Sequence, residues 1–163
     1  RAENPDAAVT RVRFDVRKEL DAVREFYEAL AGEQNVEIVC EGSASLTGDP
    51  VLFRRAVSNL LANSLQHTPA GGRVCLSAAL RHGETVEVTV HDTGSGIAPE
   101  HLPKIFDRFY RPDHSRSRTP GGSGLGLAIV QSIMRLHGGG ASIESTVGNG
   151  TTVKLTFPPV PER

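Results

Sequence analysis

Two asparagines stand four residues apart in Val57-Ser58-Asn59-Leu60-Leu61-Ala62-Asn63, and Gln66 continues the stripe at i, i+4, i+7. Phe53, Val57, Leu60 and Leu61 form a second, apolar stripe on the same expected helix. Asparagine is a mediocre helix former, because its amide competes for backbone hydrogen bonds. Two on one face are therefore either a solvated polar surface or a pair of hard amide oxygens suited to Mg²⁺. Downstream, Val86, Val88 and Val90 mark a strand that delivers Asp92 into Asp92-Thr93-Gly94-Ser95-Gly96-Ile97. Read alone, Asp92 is a turn residue. Buried, its carboxylate would accept a hydrogen bond from the exocyclic amine of adenine, where guanine presents a carbonyl.

A third element follows in Gly122-Ser123-Gly124-Leu125-Gly126-Leu127, which opens a helix. The first amides of a helix are unpaired and its dipole favours anions, so such a start suits phosphate. Of the seventeen glycines, eleven fall between Gly94 and Gly150, where bare backbone can approach a ligand. The spacing is not that of the dinucleotide fingerprint, and no GxxxxGK[ST] occurs; the only lysines are Lys18, Lys104 and Lys154. Between the two glycine runs lie Arg108, Arg111, Arg116 and Arg118, either a solvated charged loop or a flap whose guanidinium forks close over a triphosphate. In this order the set reads as an ATP site with a bound divalent ion, and it points to phosphate transfer.

The elements that must position these residues follow from periodicity. Val9 to Val16 alternates as a strand, Lys18 to Ala31 has the spacing of an amphipathic helix ended by Gly32, and Val36 to Cys40 is a short strand. Asp49-Pro50 predicts a helix start, with Asp49 as N-cap and Pro50 in the first turn, running to about Gln66. Val74 to Leu80 and Thr85 to His91 predict a hairpin around His82-Gly83. Glu100 to Tyr110 holds at most a helical turn or two, and Arg111 to Gly122 is a long loop of the functional or disordered kind. Leu125 to Leu136 is a helix stopped by His137-Gly138-Gly139-Gly140, and Ala141 to Ser145 and Thr151 to Phe157 are the last strands. Residues 1–8 read as a lead-in, 9–158 as one domain and 159–163 as a tail. This order predicts an α+β fold, a mixed sheet covered on one face by helices.

The bulk numbers fit one domain with a full core: 163 residues, 38% of them hydrophobic. A net charge of -1 gives no reason to expect nucleic acid or an anionic membrane as partner. Cys40 and Cys75 sit in apolar runs and read as free thiols of a reducing compartment. No Cys/His spacing suggests zinc. No apolar run approaches the roughly 18 residues of a membrane helix. The chain opens on Arg1 and reads as a piece of something longer.

Together these residues resemble the catalytic and ATP-binding domain of bacterial sensor histidine kinases, in the superfamily shared with gyrase, Hsp90 and MutL. Asn59 to Asn63 is similar to the N box and Asp92 to Ile97 to the first glycine box. Phe106-Asp107-Arg108-Phe109-Tyr110 is similar to the F box, Gly122 to Leu127 to the second glycine box, and Gly148-Asn149-Gly150-Thr151 to the last. The resemblance implies a Bergerat fold, a two-layer α/β sandwich with ATP under a flexible lid. It implies Mg²⁺ on Asn63 and Asn59, adenine on Asp92, and a base lined by Gly94, Gly96 and Ile97. His67 and Tyr110 would flank the nucleotide, Gly122, Ser123, Gly124, Leu125, Gly126 and Leu127 would meet the phosphates, and Thr152 would join them from the last strand. Gln66 stands where the family commonly has a cation, so Arg111 or Arg118 would serve. Ser64 replaces a usual alanine.

The wording of Ser132 to Gly139 and of Asp107 to Arg111 resembles the heavy-metal sensor branch. The family's ATPases place a glutamate one turn before the Mg²⁺ asparagine; Asn59 stands there and cannot take a proton from water. The resemblance thus implies a histidine kinase rather than a hydrolase, with a degenerate docking module as the other reading. None of the six histidines lies in a phosphoacceptor segment. The acceptor, on a dimerisation domain, and the response regulator would be partners, in a homodimeric inner-membrane parent whose isolated cytoplasmic domain is a monomer.

Overall fold

A computed structural model describes residues 9–96 and 126–159. The lead-in, the helical turns expected in Glu100 to Tyr110, the arginine loop and residues 160–163 of the tail lie outside the described residues. The elements run β1 (Val12–Asp15), α1 (Val16–Gln34), β2 (Glu37–Gly42), β3 (Ser45–Gly48), α2 (Pro50–His67), β4 (Arg73–Arg81), β5 (Thr85–Asp92), α3 (Gly126–Leu136), β6 (Gly140–Thr146) and β7 (Gly150–Phe157). Five strands form one sheet in the order β2-β4-β5-β7-β6. Its β2–β4 pair is parallel and the others are antiparallel, so the sheet is mixed as expected.

Three boundaries differ from the sequence reading. Val16 begins α1 rather than ending the first strand, because the Asp15 carboxylate accepts from the Arg17 and Lys18 amides and caps the helix. α1 continues past Gly32 to Gln34 and ends at Asn35, whose left-handed backbone (φ 62°) closes it. β3 has no counterpart in the reading. It pairs with β1 as a separate two-stranded sheet, Phe14 opposite Leu46, a non-local partnership that four residues of local pattern do not announce. The hairpin between β4 and β5 turns at His82–Glu84 as expected, with Gly83 at φ 73°.

One face of the sheet makes the core. Ile38, Cys40, Val74, Leu76, Val88, Val90, Val153 and Leu155 are buried on it, beneath the apolar stripes of all three helices. Phe53 of α2 is fully buried at the centre, with its ring 5.4 Å from Phe14 and 5.8 Å from Phe157. It thereby ties the small sheet, α2 and the large sheet together. The cysteines stay free, as expected. The register sets Cys40 across from Leu76 and Cys75 across from Val39, so the two thiols leave opposite faces. Burial pushes the Cys40 thiol up to about 11, and the Asp21 carboxylate beside it acts in the same direction.

Two predictions follow from this packing. Phe53→Ala removes the ring shared by three elements and is expected to lower stability by about 3–5 kcal/mol, measured by urea unfolding. Below the ordinary thiol value of 9.0, folded and unfolded chains both hold the Cys40 proton; between 9.0 and about 11 only the unfolded chain releases it. The urea midpoint should therefore fall across that window, and fall less in Cys40→Ala.

Candidate functional site

α2 is the element on which the expected site residues gather. Its start is fixed by Asp49, whose carboxylate accepts from the Val51 amide at 3.0 Å and the Leu52 amide at 3.2 Å, with Pro50 in the first turn. Phe53, Val57, Leu60 and Leu61 are buried, so the helix cannot roll. The adjoining stripe then presents Asn59, Asn63 and His67 at i, i+4 and i+8, about 12 Å from first to last. Asn59 sits at the start of α3, where a Cβ added to Gly126 would stand 4.0 Å from the Asn59 Cβ. His67 sits at the other end, where its carbonyl accepts from the Ser95 amide at 3.3 Å. One helix face thus runs from Gly126 to Gly94.

Asp92 is 3% exposed at the end of β5, on the same sheet face as Val88 and Val90. Its Oδ1 accepts from the Gly94 amide at 2.9 Å, which bends the chain back. No other donor reaches the carboxylate among the described residues. Gly94 is required by close approach: an added Cβ would stand 2.5 Å from the His67 carbonyl oxygen and 2.9 Å from Asp92 Oδ1. Gly96 is required by conformation, since its φ of 82° is left-handed and a Cβ would collide with the Thr146 carbonyl. The Gly148 amide donates to the Ser95 carbonyl at 2.7 Å, so the β6–β7 turn holds this loop from the other side. Desolvation by the surrounding protein lowers the His67 pKa, and the Asp92 carboxylate opposes it. The residue keeps an exposed surface, so solvent weakens both effects.

The structure sets Asn59, Asn63 and His67 on one helix, with Gly126 near Asn59 and with Asp92 and Gly94 near His67; Gly96 lies against Thr146, and Leu127 is buried in the core. Ile97, Tyr110, Arg111, Arg118, Gly122, Ser123, Gly124 and Leu125 lie outside the described residues. Thr152 is not brought to the others. Its hydroxyl bonds His91 Nδ1 at 2.7 Å on the opposite sheet face, because strand residues alternate and Asp92 pairs with Thr151. Thr151 is therefore the residue that period two assigns to the Asp92 side, and counting the alternation from Val153 would have found it. Asn149 and the turn around it were expected only as a glycine box; their part in holding Ser95 is a tertiary fact. Ser64, the departure from the family pattern, is buried and its carbonyl accepts from the Thr68 hydroxyl at 2.8 Å, so it is accommodated.

Among the described residues the buried Asn59 Nδ2 has no hydrogen-bond partner. An amide left unsatisfied inside a protein costs free energy, and it fits a site completed by a further group. The donor set suits Mg²⁺, which takes few protein oxygens and keeps most of its waters. Among the described residues no group of three or more His, Cys, Asp or Glu could hold a metal. A cavity of about 510 Å³ at the far end of the sheet, lined by Arg13, Thr47, Leu80, Glu84 and Phe157, includes none of the expected residues.

Comparison with known proteins agrees with this geometry. The family model described as histidine kinase-, DNA gyrase B- and HSP90-like ATPase matches residues 48–161. The sensor histidine kinase CusS of Escherichia coli K12 is 42% identical over 159 residues, covering 96% of this chain and 32% of that protein. The crystal structure of full-length ShkA in complex with AMPPNP has a TM-score of 0.81 at 29% identity, over 91% of this chain and 31% of that one. The mycobacterial sensor histidine kinase MprB has a TM-score of 0.76 at 28% identity, over 94% of this chain and all of that one. The chain thus spans about a third of the length of the curated relative it matches. With this α+β fold and the match over residues 48–161, the chain belongs to the family of histidine kinase-, DNA gyrase B- and HSP90-like ATPases.

Proposed function

We propose that this chain is the ATP-binding catalytic domain of a sensor histidine kinase, which binds Mg-ATP and passes the γ-phosphate to a histidine on a dimerisation domain of its parent. The observation that carries the reading is the single face of α2, with Asn59 beside Gly126 at one end and His67 beside Gly94 at the other. In this reading Asn63 and Asn59 hold Mg²⁺ and the free oxygen of Asp92 accepts from the adenine amine. Gly94, Gly96 and Ile97 line the base, and His67 and Tyr110 flank the nucleotide. Gly122 to Leu127 meet the phosphates, and Arg111 or Arg118 supplies the charge that Gln66 lacks. Bound Mg²⁺ would neutralise charge on the phosphates. The residues of this chain supply position and electrostatics: buried Asp92 selects the base, and the first amides of α3 receive the anion. The bond from the γ-phosphorus to the ADP oxygen breaks, a bond to an imidazole nitrogen forms, and the imidazole releases its proton.

Transfer is favoured over hydrolysis because Asn59 cannot act as a base. The AMPPNP complex of ShkA supports ATP as ligand. The parent is read as a homodimeric inner-membrane sensor that signals to a response regulator, with this domain on the cytoplasmic side. Its place in the heavy-metal branch rests on the wording of Ser132 to Gly139 and on the likeness to CusS. Among the described residues no helix is long and apolar enough to cross a membrane.

Binding is tested by titration calorimetry. Asp92→Ala is expected to weaken Mg-ATP at least 10-fold, the cost of leaving the adenine amine unpaired. Asn63→Ala should weaken Mg-ATP but leave metal-free ATP little changed; equal losses with and without Mg²⁺ would remove Asn63 from the metal site. Incubated with a separate acceptor-histidine domain and labelled ATP, the chain should label that domain and not itself. Full transfer by both variants would refute the site.

A further inference from the structure

One buried titratable group has no part in the proposed chemistry. His137, just past α3, is 7% exposed. Its Nδ1 lies 2.9 Å from the Ile133 carbonyl, which can only accept, so Nδ1 carries the proton. Its Nε2 is then an acceptor, and the Asp49 amide donates to it at 3.1 Å. The ring meets Phe157 edge-on, with centroids 5.6 Å apart. It also lies against the backbone of Gly48, where a Cβ would stand 2.7 Å from the ring. Asp49 is the N-cap of α2, and its second oxygen accepts from the Thr10 amide at 3.2 Å. Nearby, Arg11 donates to the Leu136 carbonyl at 3.3 Å, placing a cation at the C-terminus of α3.

The consequence is a matter of leverage. α2 and α3 pack antiparallel, with Asp49 beside His137 at one end and Asn59 beside Gly126 at the other. Between these ends both helices bury apolar residues in one core cluster, Ala56 and Val57 on α2 and Val130 and Ile133 on α3, and apolar surfaces resist separation better than sliding. The hydrogen bond at His137 is directional and fixes the slide. We propose that His137 is a positioning residue: it sets where α3 lies along α2, and through that rod the gap between Gly126 and Asn59, about 16 Å away along α3. The functional weight of that gap rests on the reading of it as the phosphate end of the nucleotide site.

The test uses the whole 163-residue chain and three variants. His137→Phe keeps the ring contact and removes the acceptor. Gly48→Ala leaves the imidazole intact and pushes it off Asp49. His137→Gln supplies another acceptor. In nucleotide-free protein the side-chain amide signals of Asn59, read by NMR, should shift in the first two variants and return toward the parent in the third. Mg-ATP affinity, measured well below each melting temperature, should fall about fivefold or more in the first two, the lower end of coupling between distant sites. It should stay within twofold of the parent in His137→Gln. Unmoved Asn59 signals in folded variants overturn the inference, as does unchanged affinity in both, since a lost local contact would lower stability alone. If His137→Phe does not fold, Gly48→Ala carries the same outcomes. Shifted Asn59 signals in the variants, with no Mg-ATP binding by the unsubstituted chain, would uphold the positioning and sink the kinase reading.

Discussion

A helix can serve two ends of one site only if it neither rolls nor slides. α2 meets both conditions with different physics. Its apolar stripe, with Phe53, Val57, Leu60 and Leu61 each no more than 1% exposed, prevents rolling. Asp49, held by the helix amides, by Thr10 and by His137, prevents sliding. Everything ascribed to Asn59, Asn63 and His67 depends on that restraint, because the three share a line only while the helix keeps its phase.

The sheet supplies the second fixed point. Asp92 is buried because strand alternation places it on the core side at the last residue of β5, beyond Val90. The bend that follows is secured from two directions, by the His67 carbonyl and by the β6–β7 turn. Ser95 is therefore held between the end of α2 and the β6–β7 turn. Gly94 is small because the His67 backbone is there, and Gly96 is left-handed because the Thr146 carbonyl is there. These are packing requirements, and they keep the carboxylate facing the helix stripe.

The relatives matched are longer sensor proteins, and the proposed kinase reading turns on one side chain. Where the resemblance implies a carboxylate in the family's hydrolases, this chain has Asn59, whose amide nitrogen is buried with no partner among the described residues. An amide can help hold a metal but cannot draw a proton from water.

Local pattern determined most of this protein. The helix start at Asp49-Pro50, the β4–β5 hairpin, the asparagine stripe and the strand leading to Asp92 are all set by short-range periodicity and caps, which need no distant partner. What depended on distant partners was not legible. β3 exists because β1 lies beside it, Thr152 faces away because alternation in β7 is anchored by Val153, and His137 is a tether because Gly48 and Asp49 come to it across 88 residues. Residue type and spacing fix which groups an element offers, because side-chain direction repeats with the element's own period. Only tertiary structure decides which offered groups meet, because that is settled by the burial of apolar faces far apart along the chain.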